Sequence, residues 1–220
     1  MATVFDDTFS GVSVVTIDSR APDTGIGWTQ HPSIAGTTIS DLGTGFAMFN
    51  ATGAAAKSAY QTEVLPNADA SITATFKRDT GNGGAVIGLS LRCNLSDFAC
   101  YRALYTTVDG KYHIYRIGGG GVATEIAGTG TAFMAWTVGG GHTMTFSVVG
   151  SNLELLVDAV SVLTATDTTF TSAGRAGLYN EKSGATAFDF SINQFSVDAN
   201  TSAFNPAILL SSFNGGFSTF

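Results

Sequence analysis

Apolar residues recur at every second position through most of this 220-residue chain, and polar residues fill the positions between them. From Ala85 to Ile117 (AVIGLSLRCNLSDFACYRALYTTVDGKYHIYRI) the pattern is densest. Ile87, Leu89 and Leu91 alternate with Val86, Gly88, Ser90 and Arg92, as in a half-buried strand. A polar loop, Asn94 to Asp97, leads to Tyr101–Thr106, and Asp109-Gly110 turns the chain into a third strand. The same period recurs in Ser71–Lys77, with Ile72, Ala74 and Phe76 on one face. It recurs in Thr143–Val149, with Met144, Phe146 and Val148 inward, then in Leu153–Val157 and Val160–Thr164. Ala173–Tyr179 and the run Phe188, Phe190, Ile192, Phe195, Val197 close the series.

Upstream, Val4–Phe9 and Val12–Ile17 read as strands, and Ile39–Phe49 as short strands with tight turns. Trp28 is expected in the core. Ala51–Ala59 is rich in alanine, but Gly53 makes it a loop or irregular strand. Gly118–Gly121 and Gly139–Gly141 are expected hairpin loops; the first is followed by a strand pattern, not the helix that a phosphate-cradling glycine loop opens. About a dozen short strands at turn spacings of eight to twelve residues, without a helix, predict an all-β, two-sheet antiparallel sandwich. The pattern changes past Asp198. Residues 1–198 form the predicted sandwich, and residues 199–220 an apolar C-terminal arm carrying Ile208, Leu209, Leu210, Phe213, Phe217 and Phe220, suited to docking on its own sandwich or on a neighbour.

Composition narrows the partners. Hydrophobic residues make up 44% of the chain, enough for a core, and only 12% of residues are charged, so Thr, Ser, Asn, Gly and Ala must cover the surface. The net charge of −7 without a basic cluster disfavours nucleic acid and anionic membranes. No apolar run approaches the length of a membrane span, so membrane insertion is not expected. The opening MATVFDDTFSG lacks the features of a signal peptide, which leads us to expect a protein used without export of that kind.

Candidate chemistry is sparse. The four glutamates are Glu63, Glu125, Glu154 and Glu181. A retaining glycosidase needs two carboxylates about 5–5.5 Å apart. Only Glu154 and Asp158 share strand parity, and Asp158 falls at a turn. His31, His113 and His142 are scattered, and no G-x-S-x-G elbow is present. Asp6, Asp7 and Asp189 could donate oxygens to calcium, but no loop has regular ligand spacing, so neither metal nor cofactor is expected. Cys93 and Cys100 flank one hairpin loop, which leaves open both a disulfide and a pair of reduced thiols. Tyr101, Tyr105, Tyr112 and Tyr115, with Arg102 and Arg116 nearby, form a candidate glycan-binding face on which rings would stack against sugars.

Two stretches resemble the concanavalin A-like lectin/glucanase superfamily of laminin-G-like jelly rolls. One is Leu91-Arg92 with Ala99–Tyr105 and Gly110–Arg116; the other is Val148–Val162 with Thr166–Thr169, Ala173–Tyr179 and Phe188–Ile192. The opening Phe5–Phe9, with Ala21–Gly25 and Trp28, is similar to the start of such domains in tailed-phage virion proteins. The acidic motif of the glucanases is missing, so the resemblance implies a non-catalytic member. It implies a virion structural protein of a bacteriophage, for capsid decoration or the tail, that binds other virion proteins or copies of itself. Such a protein is assembled in the host cytoplasm and then extracellular. A carbohydrate-binding module or host-glycan adhesin is the alternative, and a glycoside hydrolase without the usual motif the third reading.

Overall fold

In the computed structural model, the described residues are 1–9, 15–16, 21–30, 37–41, 47–51, 57–81, 84–97, 99–130, 136–181 and 190–200. In chain order their strands are β1 (Ala2–Asp7), β2 (Val15–Thr16), β3 (Thr29–Gln30), β4 (Thr37–Asp41), β5 (Ala47–Ala51), β6 (Lys57–Val64), β7 (Ala70–Arg78) and β8 (Val86–Cys93). There follow β9 (Cys100–Thr106), β10 (Lys111–Ile117), β11 (Ala123–Gly128), β12 (Gly141–Val149), β13 (Asn152–Val157), β14 (Val160–Thr166), β15 (Arg175–Glu181) and β16 (Phe190–Ala199). The described residues thus hold sixteen strands where about a dozen were expected; β3 was not expected, and β6 runs to Val64 from a stretch read as a loop or irregular strand.

Two antiparallel sheets face each other. One has nine strands in the order β14-β13-β12-β7-β16-β5-β4-β2, with β1 also paired to β16. The other has seven, in the order β11-β10-β9-β8-β15-β6-β3. The expected alternation is what fills the space between them. Ile72, Ala74 and Phe76 of β7 and Met144, Phe146 and Val148 of β12 meet Ile87, Leu89 and Leu91 of β8, all nearly inaccessible. Polar residues of the opposite parity pair across strands instead, as in the Thr73–Thr145 and Thr75–Thr143 hydroxyl contacts at 3.0 Å.

Two irregularities in this alternation have consequences. In β16 the register against β7 shifts between Ile192 and Gln194, which puts Phe190 and Ile192 on the same buried side as Phe195, Val197 and Ala199. In β8 the bulged residue is Arg92, held at φ 54°, and the pairing with β15 shifts there too. Lys57–Ala59, expected within a loop or irregular strand, opens β6. β15 pairs with all three of these residues, and β3 joins further along at Tyr60 and Gln61, so ladder hydrogen bonds decide the conformation despite weak side-chain patterning.

Trp28 packs in the core as expected, against Phe5 (4.9 Å between centroids) and Phe195 (4.8 Å), and its indole N–H donates to the buried carboxylate of Asp7 (2.7 Å). At the other end, Trp136 packs on Tyr105 and Phe190 and donates to the Tyr112 hydroxyl (2.7 Å). The arm residues Ile208, Leu209, Leu210, Phe213, Phe217 and Phe220 lie outside the described residues.

Candidate functional site

The six residues expected on one glycan-binding face do not share a face. Cross-strand register sets Tyr112 opposite Tyr105, Ile114 opposite Ala103, and Arg116 opposite Tyr101, all on the inner side. Tyr101, Tyr105 and Tyr112 are core residues with 0–2% exposure. Tyr115 lies three positions from Tyr112, and an odd spacing on a strand reverses the face, so Tyr115 and its partner Arg102 point outward.

Arg116, on the inner parity at the sheet edge, donates to Asp167 (2.8 Å) and Thr169 (2.9 Å). Asp167 also accepts from the Tyr101 hydroxyl (2.7 Å) and the Thr169 N–H (2.8 Å). Burial works to raise the Asp167 pKa, but these hydrogen bonds prevail and hold it below the ordinary carboxylate value. Because the folded value lies below the unfolded one, its stabilisation is full above about pH 4 and lost as pH falls through the folded value. Asp167→Asn is expected to cost about 1–3 kcal/mol at neutral pH, with the difference from wild type closing in acid. Urea unfolding across a pH series checks this.

The outer face of the seven-stranded sheet carries an open depression of about 340 Å³. Tyr115, Arg102, Leu104, Tyr179 and Glu181 line it. The Arg102 guanidinium lies 3.9 Å from the Tyr179 ring centroid, its Nε donates to Ser90 Oγ (3.1 Å), and an Nη lies 3.8 Å from Cys100 Sγ. Tyr179 donates its hydroxyl to Glu181 (2.6 Å). Burial, then Glu181, raise the pKa of that hydroxyl, so it stays a protonated donor. Beside the depression, His113 packs on Tyr115 (5.7 Å) and contacts Glu125 (2.9 Å) and Asp109 (3.3 Å). Burial, then Glu125 and Asp109, raise the Tyr115 pKa, which places the field of two carboxylates on this face.

Tyr179, Glu181 and Ser90 were not singled out from the sequence. Their signal was strand parity: Ser90 opposes both Arg102 and Gly177, and Tyr179 opposes Gly88, so all stand on the side to which Arg102 points. Gly88 has no side chain because a Cβ there would come within 2.8 Å of the Ala103 carbonyl oxygen.

A larger cavity of about 570 Å³ lies at one end of this sheet, between residues 94–97 and the segment Thr169–Arg175. Arg92 builds its floor. Its bulged backbone sends the guanidinium to the carbonyls of Ala68 (3.0 Å), Phe170 (2.5 Å) and Gly150 (2.8 Å), and to Asp69 (3.4 Å). Residue 174 must be glycine, since a Cβ would stand 2.5 Å from the Arg92 carbonyl carbon. Beyond the bulge the Asn94 N–H donates to the Ala99 carbonyl (2.9 Å), which brings Cys93 opposite Cys100. Both are buried free thiols, packed with Ile117 and Tyr115.

The other sequence candidates have structural work. Glu154 sits on β13 in the nine-stranded sheet, remote from the outer face of the seven-stranded sheet. Asp158 occupies the following turn at φ 49°, bonded to His142 (2.6 Å) and to the Thr143 N–H (2.9 Å). Asp7 is committed to Trp28 and to the Phe9 N–H. His31 and Asp189 lie outside the described residues. Among the described residues no group of three or more His, Cys, Asp or Glu is arranged to hold a metal ion, and no helix is long and apolar enough to cross a membrane.

No family model and no curated protein matches the chain. Solved structures do. The carbohydrate-binding module CBM66 from Bacillus subtilis aligns with a TM-score of 0.58 at 19% identity, over 77% of this chain and 92% of that one. The exoplasmic/lumenal domain of VIP36 with calcium and mannose bound aligns with a TM-score of 0.61 at 12% identity, over 85% and 87%. The Bacillus licheniformis β-glucanase aligns with a TM-score of 0.57 at 14% identity, over 86% and 100%. These likenesses, with the two antiparallel sheets and their order, establish that the chain has the concanavalin A-like lectin/glucanase jelly-roll fold.

Proposed function

We propose that the protein is a non-catalytic carbohydrate-binding domain that holds a neutral glycan on the outer face of its seven-stranded sheet. The observation that carries this reading is the 340 Å³ depression, where the Tyr115 ring stands beside Arg102 and Glu181. An aromatic ring offers a flat apolar surface to the C–H face of a sugar, while a guanidinium and a carboxylate satisfy its hydroxyls. Glu125 and Asp109 next to Tyr115, on a chain of net charge −7, disfavour sialylated or uronic-acid sugars by like-charge repulsion. Among the described lining residues Glu181 is the one carboxylate, whereas hydrolysis of a glycosidic bond by the usual route needs two. A carbohydrate-binding module and a mannose-bound lumenal domain among the similar structures support the same reading.

Titration calorimetry with neutral oligosaccharides (mannans, fructans and β-glucans) tests it. Tyr115→Ala is expected to lower affinity about ten- to a hundredfold, the loss of about 1.4–2.7 kcal/mol, in a variant that still unfolds cooperatively well above the assay temperature. Wild-type binding to none of these sugars, or binding indifferent to Tyr115→Ala, would overturn the reading. The placement on a virion, with other virion proteins as partners, rests on the similarity of the opening residues and on the sequence of the arm.

A further inference from the structure

The thiol pair beneath the two cavities is not used by the glycan site. We infer that Cys93 and Cys100 form a thiol-oxidation site, at which a small hydroperoxide converts the pair to a disulfide that staples residues 94–97 to the sheet. Three observations carry this. The bulge at Arg92 sets Cys93 opposite Cys100, an arrangement that unbroken alternation would forbid. The two thiols pack in one buried cluster at the loop base, where cross-strand neighbours are within disulfide reach. Cys93 also lines the 570 Å³ cavity, which gives a molecule the size of hydrogen peroxide a route from solvent to the edge of the pair, with Cys100 directly opposite Cys93.

The surroundings differentiate the two sulfurs. The hydrogen bond from Cys93 and then, against burial, the Arg102 guanidinium bring the Cys100 pKa down to about 7. Burial, followed by its bond to Cys100, pushes the Cys93 thiol up. Because the Arg102 guanidinium stands against the Cys100 sulfur, at 3.8 Å, Cys100 is the nucleophile and Cys93 the resolving thiol. The Cys100 thiolate takes one oxygen from the hydroperoxide, and hydroxide leaves and collects a proton. The Cys93 thiol then attacks the sulfenic sulfur, gives up its proton, and water departs. With hydrogen peroxide the sum is two thiols and one peroxide giving one disulfide and two waters.

The groups that face the pair are Ser90 on β8, Arg102 on β9, Tyr115 on β10, and Arg175 and Tyr179 on β15, the last tied to Glu181. Arg102 is a positioning residue here, because its charge favours the thiolate without touching the peroxide. Oxidation removes its sulfur acceptor at Cys100 and fixes one wall of the larger cavity.

The test is hydrogen peroxide added to the reduced full-length protein, followed by intact-mass measurement and by alkylation after unfolding. A mass loss of two hydrogens, no alkylatable thiol, and restoration of both by dithiothreitol are expected. Two alkylatable thiols after treatment, or added oxygens without a disulfide, would overturn the inference. In the Cys93→Ser variant, which keeps size and polarity, oxidation should stop at a sulfenic acid on Cys100 that dimedone captures; no capture there, with capture on Cys93 in the Cys100→Ser variant, overturns the assignment of the nucleophile. Arg102→Gln should slow oxidation at neutral pH about tenfold and move its pH midpoint upward, whereas an unchanged midpoint removes Arg102 from the mechanism.

Discussion

Replacing Arg92 by methionine is expected to lower the unfolding free energy by about 3–5 kcal/mol, seen as an earlier urea midpoint with an unchanged slope. Methionine fills much of the volume but donates nothing. The carbonyls of Ala68, Gly150 and Phe170 come from three segments, and the guanidinium gathers all of them from a residue that is 6% exposed. Asp69, bonded to both Arg92 and the Gly150 N–H, loses its cation as well. Burial already depresses the Arg92 pKa, a sign that the charge stands in a poorly solvated place and depends on these acceptors. Lysine should recover only a part, because an ammonium cannot serve four acceptors spread across a planar fork. Arg92→Gly separates the two roles of the residue: it relieves the left-handed backbone conformation, worth about 1 kcal/mol, but discards the clasp. A glycine variant as stable as wild type would limit the clasp to the ~1 kcal/mol that the backbone relief returns.

Trp28→Ala is expected to cost a similar amount, about 3–5 kcal/mol. The indole is 4% exposed and fills the space between Phe5, Phe9 and Phe195 at one end of the sandwich. Its removal leaves a cavity that β1 and β16, paired to each other there, have little room to close. Trp28→Phe isolates the polar part. It keeps an aromatic ring while withdrawing the N–H that Asp7, at 0% exposure, accepts, and should cost about 1–3 kcal/mol. Thermal or urea unfolding of the pair checks both values. A phenylalanine variant indistinguishable from wild type would assign the whole effect to packing.

Much of the architecture was legible before any coordinates. The period-2 runs of β7, β8, β12 and β13 are clear because a half-buried strand must alternate, and their apolar positions are the core. Residues 57–59 left a loop and an irregular strand both open for the opposite reason: alanine, serine and lysine carry no face preference, and the ladder from β15 holds them extended. The candidate site shows a sharper division. Arg102 and Tyr115 are two of the six residues expected on one face, and they stand opposite each other on the outer face. Tyr101, Tyr105 and Tyr112 were grouped with them by residue type, although parity already separates position 115 from position 112. Ser90, Tyr179 and Glu181 reach the same depression from strands whose adjacency only the sheet order reveals.

The sequence by itself thus determined the class: many short alternating strands, no amphipathic helix, and an apolar total sufficient for two sheets to cover each other. Local sterics and the hydrophobic effect act within a few residues, so their record is written in the local pattern. Which face of β9 and β10 became the core was decided by the opposing sheet, since both faces carry aromatic residues and only one can be covered. The tertiary structure alone also decided where alternation breaks. The bulge at Arg92 follows from contacts with Ala68, Gly150 and Phe170, residues 24, 58 and 78 positions away. That one extra residue turns a guanidinium into the clasp between the sheets and turns Cys93 towards Cys100.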